Sequence, residues 1–366
     1  MKITKIETIV LRIPYSTGGS SQADAWGGKA WSTADCLLVR VETDAGITGW
    51  GEAFGYNVIS ATRAILDDVI APMVIGQPAD AIEPLMLDLH RKLHIFGRGG
   101  PVIYALSGLD IALWDIAGKS AGLPLHRLLG GASRPEMPCY ASLIRYGEPD
   151  LVRMHVRRAI DEGFADVKLH EIDLACIRAA REAAGPGPRL MLDVNCPWTL
   201  QEAIALSPAL ADVAPFWLEE PVWPPEDVSA LARVRQACGL PIAAGENAAT
   251  LAQFQQLLRA EAVDVIQPSP AKMGGVSELV KVFTLAAAHN VRVVPHSFYD
   301  GPAFLATVHV AAALQREPLV EWRYFDLEAL LFGPAGRPAK GRMTVPTGAG
   351  LGLDPDPGVI ARYRVA

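Results

Sequence analysis

The chain has 366 residues, half of them apolar, with 40 acidic against 33 basic side chains and a formal charge of −7. That length predicts two domains around a large buried core. The mild acidity, with no Lys/Arg-rich run, excludes an electrostatic binder of nucleic acid or anionic membrane. Five scattered cysteines (36, 139, 176, 196 and 238), odd in number and without CxxC spacing, exclude a disulfide framework and suit a cytoplasmic chain.

Met1 to Val10 alternates apolar and polar residues as a half-buried strand does, rather than as a signal peptide. Residues 1–13 and 34–52 are predicted strands, ending in the turn-rich run Ile47-Thr48-Gly49-Trp50-Gly51-Glu52. Between them Tyr15 to Thr33, rich in Gly, Ser and Trp, is longer than an ordinary connection and predicts a lid. Residues 58–131 carry helical periodicity. The clearest helix, Ser107 to Lys119, sets Leu109, Ala112, Leu113, Ile116 and Ala117 on one face and stops near Gly122-Leu123-Pro124. No apolar run is expected to span a membrane. Residues 1–130 therefore read as an α+β capping domain.

From Pro138 the pattern becomes strand–helix repetition. Strands are expected at 138–143, 164–170, 189–195, 215–220, 241–246, 263–269, 291–297 and 318–323, with helical patterns such as Leu151–Glu162 and Ser277–His289 between them. Eight such strands in about 190 residues predict a TIM-type barrel over 131–325. The Gly- and Pro-rich tail, 326–366, adds no repeat unit and is expected to pack back on the cap.

Three of these strands end in an acid. Asp193, Glu219 and Glu246 lie 26 and 27 residues apart, about what one strand, one helix and two short loops consume. In a closed parallel barrel the three carboxylates meet at one mouth, where they repel unless a cation sits between them. Oxygen-only ligands favour a hard ion such as Mg²⁺. Asn195, two residues past Asp193, faces the same mouth, whereas Glu220 is expected on the opposite side of its strand. Cys196 reads as a small hydrophobe.

The runs Trp217-Leu218-Glu219-Glu220-Pro221, Gly245-Glu246-Asn247, Asp193-Val194-Asn195, Leu109 to Lys119, Lys272-Met273-Gly274-Gly275-Val276 and Val293-Val294-Pro295-His296 resemble the enolase superfamily, mandelate racemase-like branch. The resemblance spans nearly the whole chain. It implies a cap over a (β/α)₇β barrel, Mg²⁺ held by Asp193, Glu219 and Glu246, and removal of the proton α to a substrate carboxylate. Enolase-superfamily sites are described as a Lys or His base with Mg²⁺ stabilising the ene-diolate.

The base, His170 or Lys168, is expected at the end of the second barrel strand, with His296 delivering a proton to the departing hydroxide. Period two puts Lys168 and His170 on one face of Lys168-Leu169-His170, where the related pattern is Lys-x-Lys with its second lysine as base. Histidine titrates nearer neutrality than lysine, and a neighbouring Lys168 cation would hold it neutral. His296 matches the family's other base, but Ser269 stands where an aspartate should orient it, unless Asp300 substitutes. Glu321 matches a glutamate that donates a hydrogen bond to the substrate carboxylate, which requires a protonated carboxyl; the alternative is a salt bridge to Lys168 or Arg323. Trp26, Trp31, Phe54 and Tyr56 either shape the pocket from the cap or pack within it. The remaining histidines (90, 94, 126, 155, 289 and 309) read as core or surface residues. The resemblance thus implies dehydration of a hydroxy (sugar) acid, with racemisation or epimerisation of a 2-hydroxy acid as runner-up and a degenerate carboxylate-binding homologue as a third reading. It also implies a homo-oligomer, dimer or octamer.

Overall fold

The computed structural model describes residues 1–18, 31–131 and 134–365. The cap opens with an antiparallel sheet of β1 (Ile3–Ser16), β2 (Thr33–Thr43) and β3 (Thr48–Ala53). The segment read as turn-rich is thus β3 itself. Its glycines answer to close approach rather than to turning: a Cβ on Gly51 would lie 1.9 Å from the Gly108 carbonyl oxygen, and one on Gly49 would lie 2.3 Å from that of Ala112. They let the helix Pro101–Ala121 settle directly on the sheet. That helix begins a turn and a half before its predicted start and ends at left-handed Gly122. It is long and apolar enough to cross a membrane, a feature the sequence reading passed over, yet 78% of its apolar window is buried inside the fold.

Eight parallel strands form the second domain. They are β4 (Glu136–Ser142), β5 (Asp166–Leu169), β6 (Arg189–Asp193), β7 (Trp217–Glu219), β8 (Ile242–Ala244), β9 (Val265–Ile266), β10 (Arg292–Val293) and β11 (Val320–Arg323), with helices between successive strands. Their order runs β10-β9-β8-β7-β6-β5-β4-β11, which is the (β/α)₇β barrel. Among the described residues no ladder joins β10 to β11. The Gln315 side chain spans that seam, Nε2 donating to the Val293 carbonyl (2.7 Å) and Oε1 accepting from Leu319 N–H (3.0 Å). Ser297 adds a second tie, its N–H donating to Glu321 Oε2 at 2.8 Å and its hydroxyl to the Glu321 carbonyl at 2.9 Å. The seventh and eighth strand ends, carrying His296 and Glu321, are thereby fixed to each other.

The tail divides its contacts. Residues Asp326–Leu327 (β12) and Arg364–Val365 (β14) pair with β1 of the cap, whereas Arg342–Thr344 (β13) turns back and pairs with β4 of the barrel.

Cap and barrel are also joined by buried acids that cap barrel helices. Glu52 accepts from Ala303 N–H (2.9 Å) at the start of Pro302–Leu314. Asp110 accepts from Ser277 N–H (3.0 Å) and hydroxyl (2.5 Å) at the start of Gly275–Ala288. An acid there complements the helix dipole and satisfies open N–H groups. Burial nevertheless pushes the Asp110 carboxyl up from 3.8 to about 7, against the pull of Ser277. The folded state therefore holds this proton more tightly than the unfolded chain. Its contribution to stability is full below about 3.8 and is lost as pH rises through about 7. In urea unfolding between pH 4 and 8, wild type should lose stability on the alkaline side relative to Asp110→Asn, which carries no such proton; parallel pH curves for the two proteins would rule this out.

Candidate active site

The strand ends deliver the site. Asp193 and Glu219 close β6 and β7 in register with each other. Glu246 follows β8 after Gly245, whose φ of 136° only glycine adopts freely. One ligand oxygen from each of the three acids lies within 4.8 Å of the others. Octahedral Mg²⁺ at about 2.1 Å would set such oxygens roughly 3–4 Å apart, so small rotamer changes close the set. The fit has a second support. Asp193 Oδ2 is buried beside Lys168 Nζ and His170 Nε2, with no well-oriented hydrogen-bond donor among the described residues.

The electrostatics point the same way. Five carboxyls (Asp193, Glu219, Glu220, Glu246, Glu321) crowd two ammonium groups, Lys168 and Lys272. Burial, and then the Asp193 charge, hold Glu219 well above the usual carboxylate range. Burial followed by the Glu246 and Asp193 charges raises Glu220 to about 8. A divalent cation relieves both.

Lys168, at the end of β5, is fully buried. Its Nζ lies 3.1 Å from Asp193, 3.0 Å from Glu219 and 2.8 Å from Glu321. Burial opposes its charge, but Glu219, Glu321 and Asp193 outweigh that and raise its pKa well above the normal lysine value. As an ammonium it has no lone pair to offer, and its Nζ and the His170 Nε2 flank the same Asp193 oxygen at 3.1 and 3.2 Å. The expected cation beside His170 is thus present, while the acids around Lys168 favour its ammonium form over a proton acceptor. His170, one residue beyond β5, lines the main cavity. Its Nδ1 meets the Leu143 carbonyl and its Nε2 lies 3.2 Å from Asp193 Oδ2. A carbonyl only accepts, so Nδ1 carries a proton.

Glu321 corrects the expectation of a protonated donor. It takes the alternative: its Oε1 meets Lys168 and accepts from Ser142 (2.8 Å), and its Oε2 accepts from Ser297 N–H. Burial works against ionisation, yet the Lys168 charge outweighs it and lowers this carboxyl to about 2. Asp300 does not substitute for the missing aspartate, because it pairs with Arg323. Ser269 does meet His296, Oγ to Nδ1 at 3.2 Å, while His296 Nε2 lies 3.2 Å from Glu246 Oε2. Burial lowers the His296 pKa against the raising effect of Glu246.

A cavity of about 880 Å³ opens above these groups. Asn195 lines it in a left-handed conformation (φ 54°), its N–H donating to Asp193 Oδ1 (3.0 Å) and its Oδ1 buried without a hydrogen-bond partner among the described residues. Phe54, Tyr56 and Trp31 line it from the cap, the Tyr56 hydroxyl donating to the Phe298 carbonyl at 2.6 Å. Trp26 lies outside the described residues.

Three residues at the site escaped the sequence reading. Glu220 was assigned to the far side of its strand, but a positive φ (47°) ends the alternation and turns its carboxyl into the cavity, where Asn247 Nδ2 donates to both oxygens at 3.0 Å. Lys272, seen only as part of a motif, reaches Glu246 (3.3 Å) and Asn247 (3.2 Å). Tyr299 shares a hydrogen bond with Ser269.

Comparison with known proteins agrees with this geometry. Residues 151–359 match the enolase C-terminal domain-like family, and residues 27–130 the N-terminal domain of the mandelate racemase / muconate lactonizing enzyme family. D-galactarolactone cycloisomerase of Agrobacterium fabrum is 35% identical over 100% of this chain and 99% of its own length. Arabinonate dehydratase of Saccharolobus solfataricus is 30% identical over 92% of each. A racemase from Streptomyces coelicolor A3(2), solved with bound magnesium, superposes with a TM-score of 0.88 at 30% identity, covering 99% of this chain and 100% of that one. Relatives of this kind, together with the barrel and its acid triad, establish that the chain belongs to the mandelate racemase / muconate lactonizing enzyme family of the enolase superfamily.

Proposed function

We propose that this protein catalyses β-elimination from an acid sugar, removing the proton α to the carboxylate and expelling the β-oxygen, as an acid-sugar dehydratase does. The observation that carries the reading is the convergence of two histidines on the acid triad. His170 Nε2 lies 3.2 Å from Asp193 and His296 Nε2 lies 3.2 Å from Glu246. Dehydratases and cycloisomerases of acid sugars among the relatives support it.

The chemical obstacle is charge. Taking an α-proton places a second negative charge on the carboxylate group, far beyond what a side-chain base can drive unaided. Asp193, Glu219 and Glu246 would hold Mg²⁺, which when bound supplies several kcal/mol of stabilisation to that charge. The chain's own residues do the rest. His170, with its proton fixed on Nδ1 by Leu143, would present Nε2 as base once a bound cation, rather than that nitrogen, satisfies Asp193 Oδ2. Lys168 stays charged beside Glu321 and adds a fixed positive potential under the reacting carboxylate. Phe54, Tyr56 and Trp31 exclude water above it.

A second reading is favoured by the full-length 35% match to a lactone cycloisomerase. It is the same elimination with a ring oxygen as the leaving group. Both are tested by incubating the protein with Mg²⁺ and a panel of aldonates, aldarates and their lactones in deuterated water. A 2-keto-3-deoxy product from an open acid sugar supports dehydration, and ring opening of a lactone supports cycloisomerisation. α-Deuterium with inverted stereochemistry and no elimination would overturn both in favour of a racemase, and an inert panel would favour a binding protein that has lost turnover.

A further inference from the structure

Inward-facing side chains from alternate strands of such a barrel meet in layers of four. The strand register assigns one layer here. Lys168 on β5 lies level with Met191 and, one strand on, with Trp217, two residues before Glu219. Glu219 on β7 lies level with Ala243 and then Val265, two residues before Gln267. In the other direction Lys168 lies level with Ser142 and then Arg323, two residues after Glu321. The same step is kept throughout, so Glu321, Lys168, Glu219 and Gln267 form one ring. The ladder reaches Gln267, whose N–H donates to the Ala244 carbonyl at 2.9 Å. Val265, two residues earlier, packs with Tyr140 and Trp217 in the apolar layer beneath.

Three members of the ring already touch. Lys168 Nζ lies 3.0 Å from Glu219 Oε1 and 2.8 Å from Glu321 Oε1. The fourth, Gln267, is fully buried and faces the Glu219 carboxylate. Gly245, which follows β8 between their strands, interposes no side chain. Yet neither amide atom of Gln267 has a well-oriented hydrogen-bond partner among the described residues. Burying an unsatisfied polar group disfavours the fold, a cost that an apolar side chain of the same size does not carry. A carboxylate only accepts, so the pairing open to this amide is donation from Nε2 to Glu219.

We propose that Gln267 is a positioning residue for Glu219, donating to that carboxylate from the side of the ring opposite Lys168 and fixing the angle at which it meets the cation. The inference rests on the assignment of Asp193, Glu219 and Glu246 as the Mg²⁺ ligands. Two donors already hold Glu219, Lys168 at Oε1 (3.0 Å) and Trp217 Nε1 at Oε2 (2.9 Å). A third that is neutral restrains the carboxylate without cancelling the charge that the metal needs. A lysine at 267 would cancel it, and an acid would add to the repulsion among the carboxyls. Mg²⁺ demands near-ideal octahedral geometry, whereas Ca²⁺ accepts flexible coordination. Losing the restraint should therefore be felt by Mg²⁺ first.

The test needs no substrate. Mg²⁺ and Ca²⁺ are titrated calorimetrically into metal-stripped wild type and Gln267→Met, which keeps the length of the side chain and removes its donor. Mg²⁺ affinity should fall about 10–100-fold, as for other partners that orient a metal ligand. Ca²⁺ affinity should change less than about threefold. The metal-free variant should melt no lower than metal-free wild type, since an unsatisfied buried amide is gone. Gln267→Leu repeats the measurement if the methionine variant does not fold. Unchanged Mg²⁺ affinity, equal losses for the two ions, or a lower Tm with both affinities intact would overturn the proposal and leave the metal assignment standing. A wild type that binds no Mg²⁺ would overturn both.

Discussion

His170→Asn should lower kcat by about 10³-fold or more and abolish α-deuterium incorporation, with Mg²⁺ binding and thermal stability close to wild type. Asparagine keeps a donor for the Leu143 carbonyl, so the local hydrogen bond survives while the basic nitrogen goes. No other group on the second strand can compensate. Lys168 is buried among Glu219, Glu321 and Asp193, whose charges favour its ammonium form against the effect of burial. Kinetics in deuterated water check this. Undiminished exchange in His170→Asn would mean that the α-proton leaves by another route, and His296 would then have to be the base.

Glu219→Gln should have an effect at least as large on turnover, through a different cause. It removes one of the three ligand charges, and because outer-shell changes alone typically cost about 10–100-fold in metal affinity, losing a ligand should cost no less. Turnover should fall by roughly 10³-fold at modest Mg²⁺. Its stability should move the other way. Burial and the Asp193 charge make an ionised Glu219 unfavourable when no cation is present, so the metal-free variant should melt above metal-free wild type. Added Mg²⁺ should raise the wild-type Tm, since it binds only the folded site, and leave that of the variant nearly unchanged. Thermal scans with EDTA and with Mg²⁺ separate the two effects. A variant less stable than wild type under both conditions would show that Glu219 acts as an ordinary structural acid.

Much of this site is legible in sequence because strand periodicity carries it. Asp193, Glu219 and Glu246 end apolar runs at a (β/α) spacing, and a closed parallel barrel can place such residues only at one mouth. Lys168 and His170 follow from alternation along a strand. Alternation fails where the backbone leaves the strand, as at Glu220, whose left-handed φ no local rule announces. Gly49 and Gly51 show a different limit. Glycine next to a strand reads as a turn, and only the helix packed against it reveals that the missing side chain makes room for backbone. Protonation lies further out of reach. Whether Glu321 is an acid or an anion depends on Lys168, a partner 153 residues earlier in the chain. The partner of Ser269 is likewise supplied by a loop 30 residues away, so the exchange of aspartate for Ser269 is visible in the sequence and its contact with Tyr299 is not.

The central claim is that carboxylates on three successive barrel strands grip one divalent ion. Calorimetric titration of Mg²⁺ into metal-stripped protein addresses it most directly. One ion per chain should bind to wild type, and Asp193→Asn, Glu219→Gln and Glu246→Gln should each weaken that binding at least about tenfold. Absence of saturable binding in the wild type, or three variants that titrate as it does, would contradict the account.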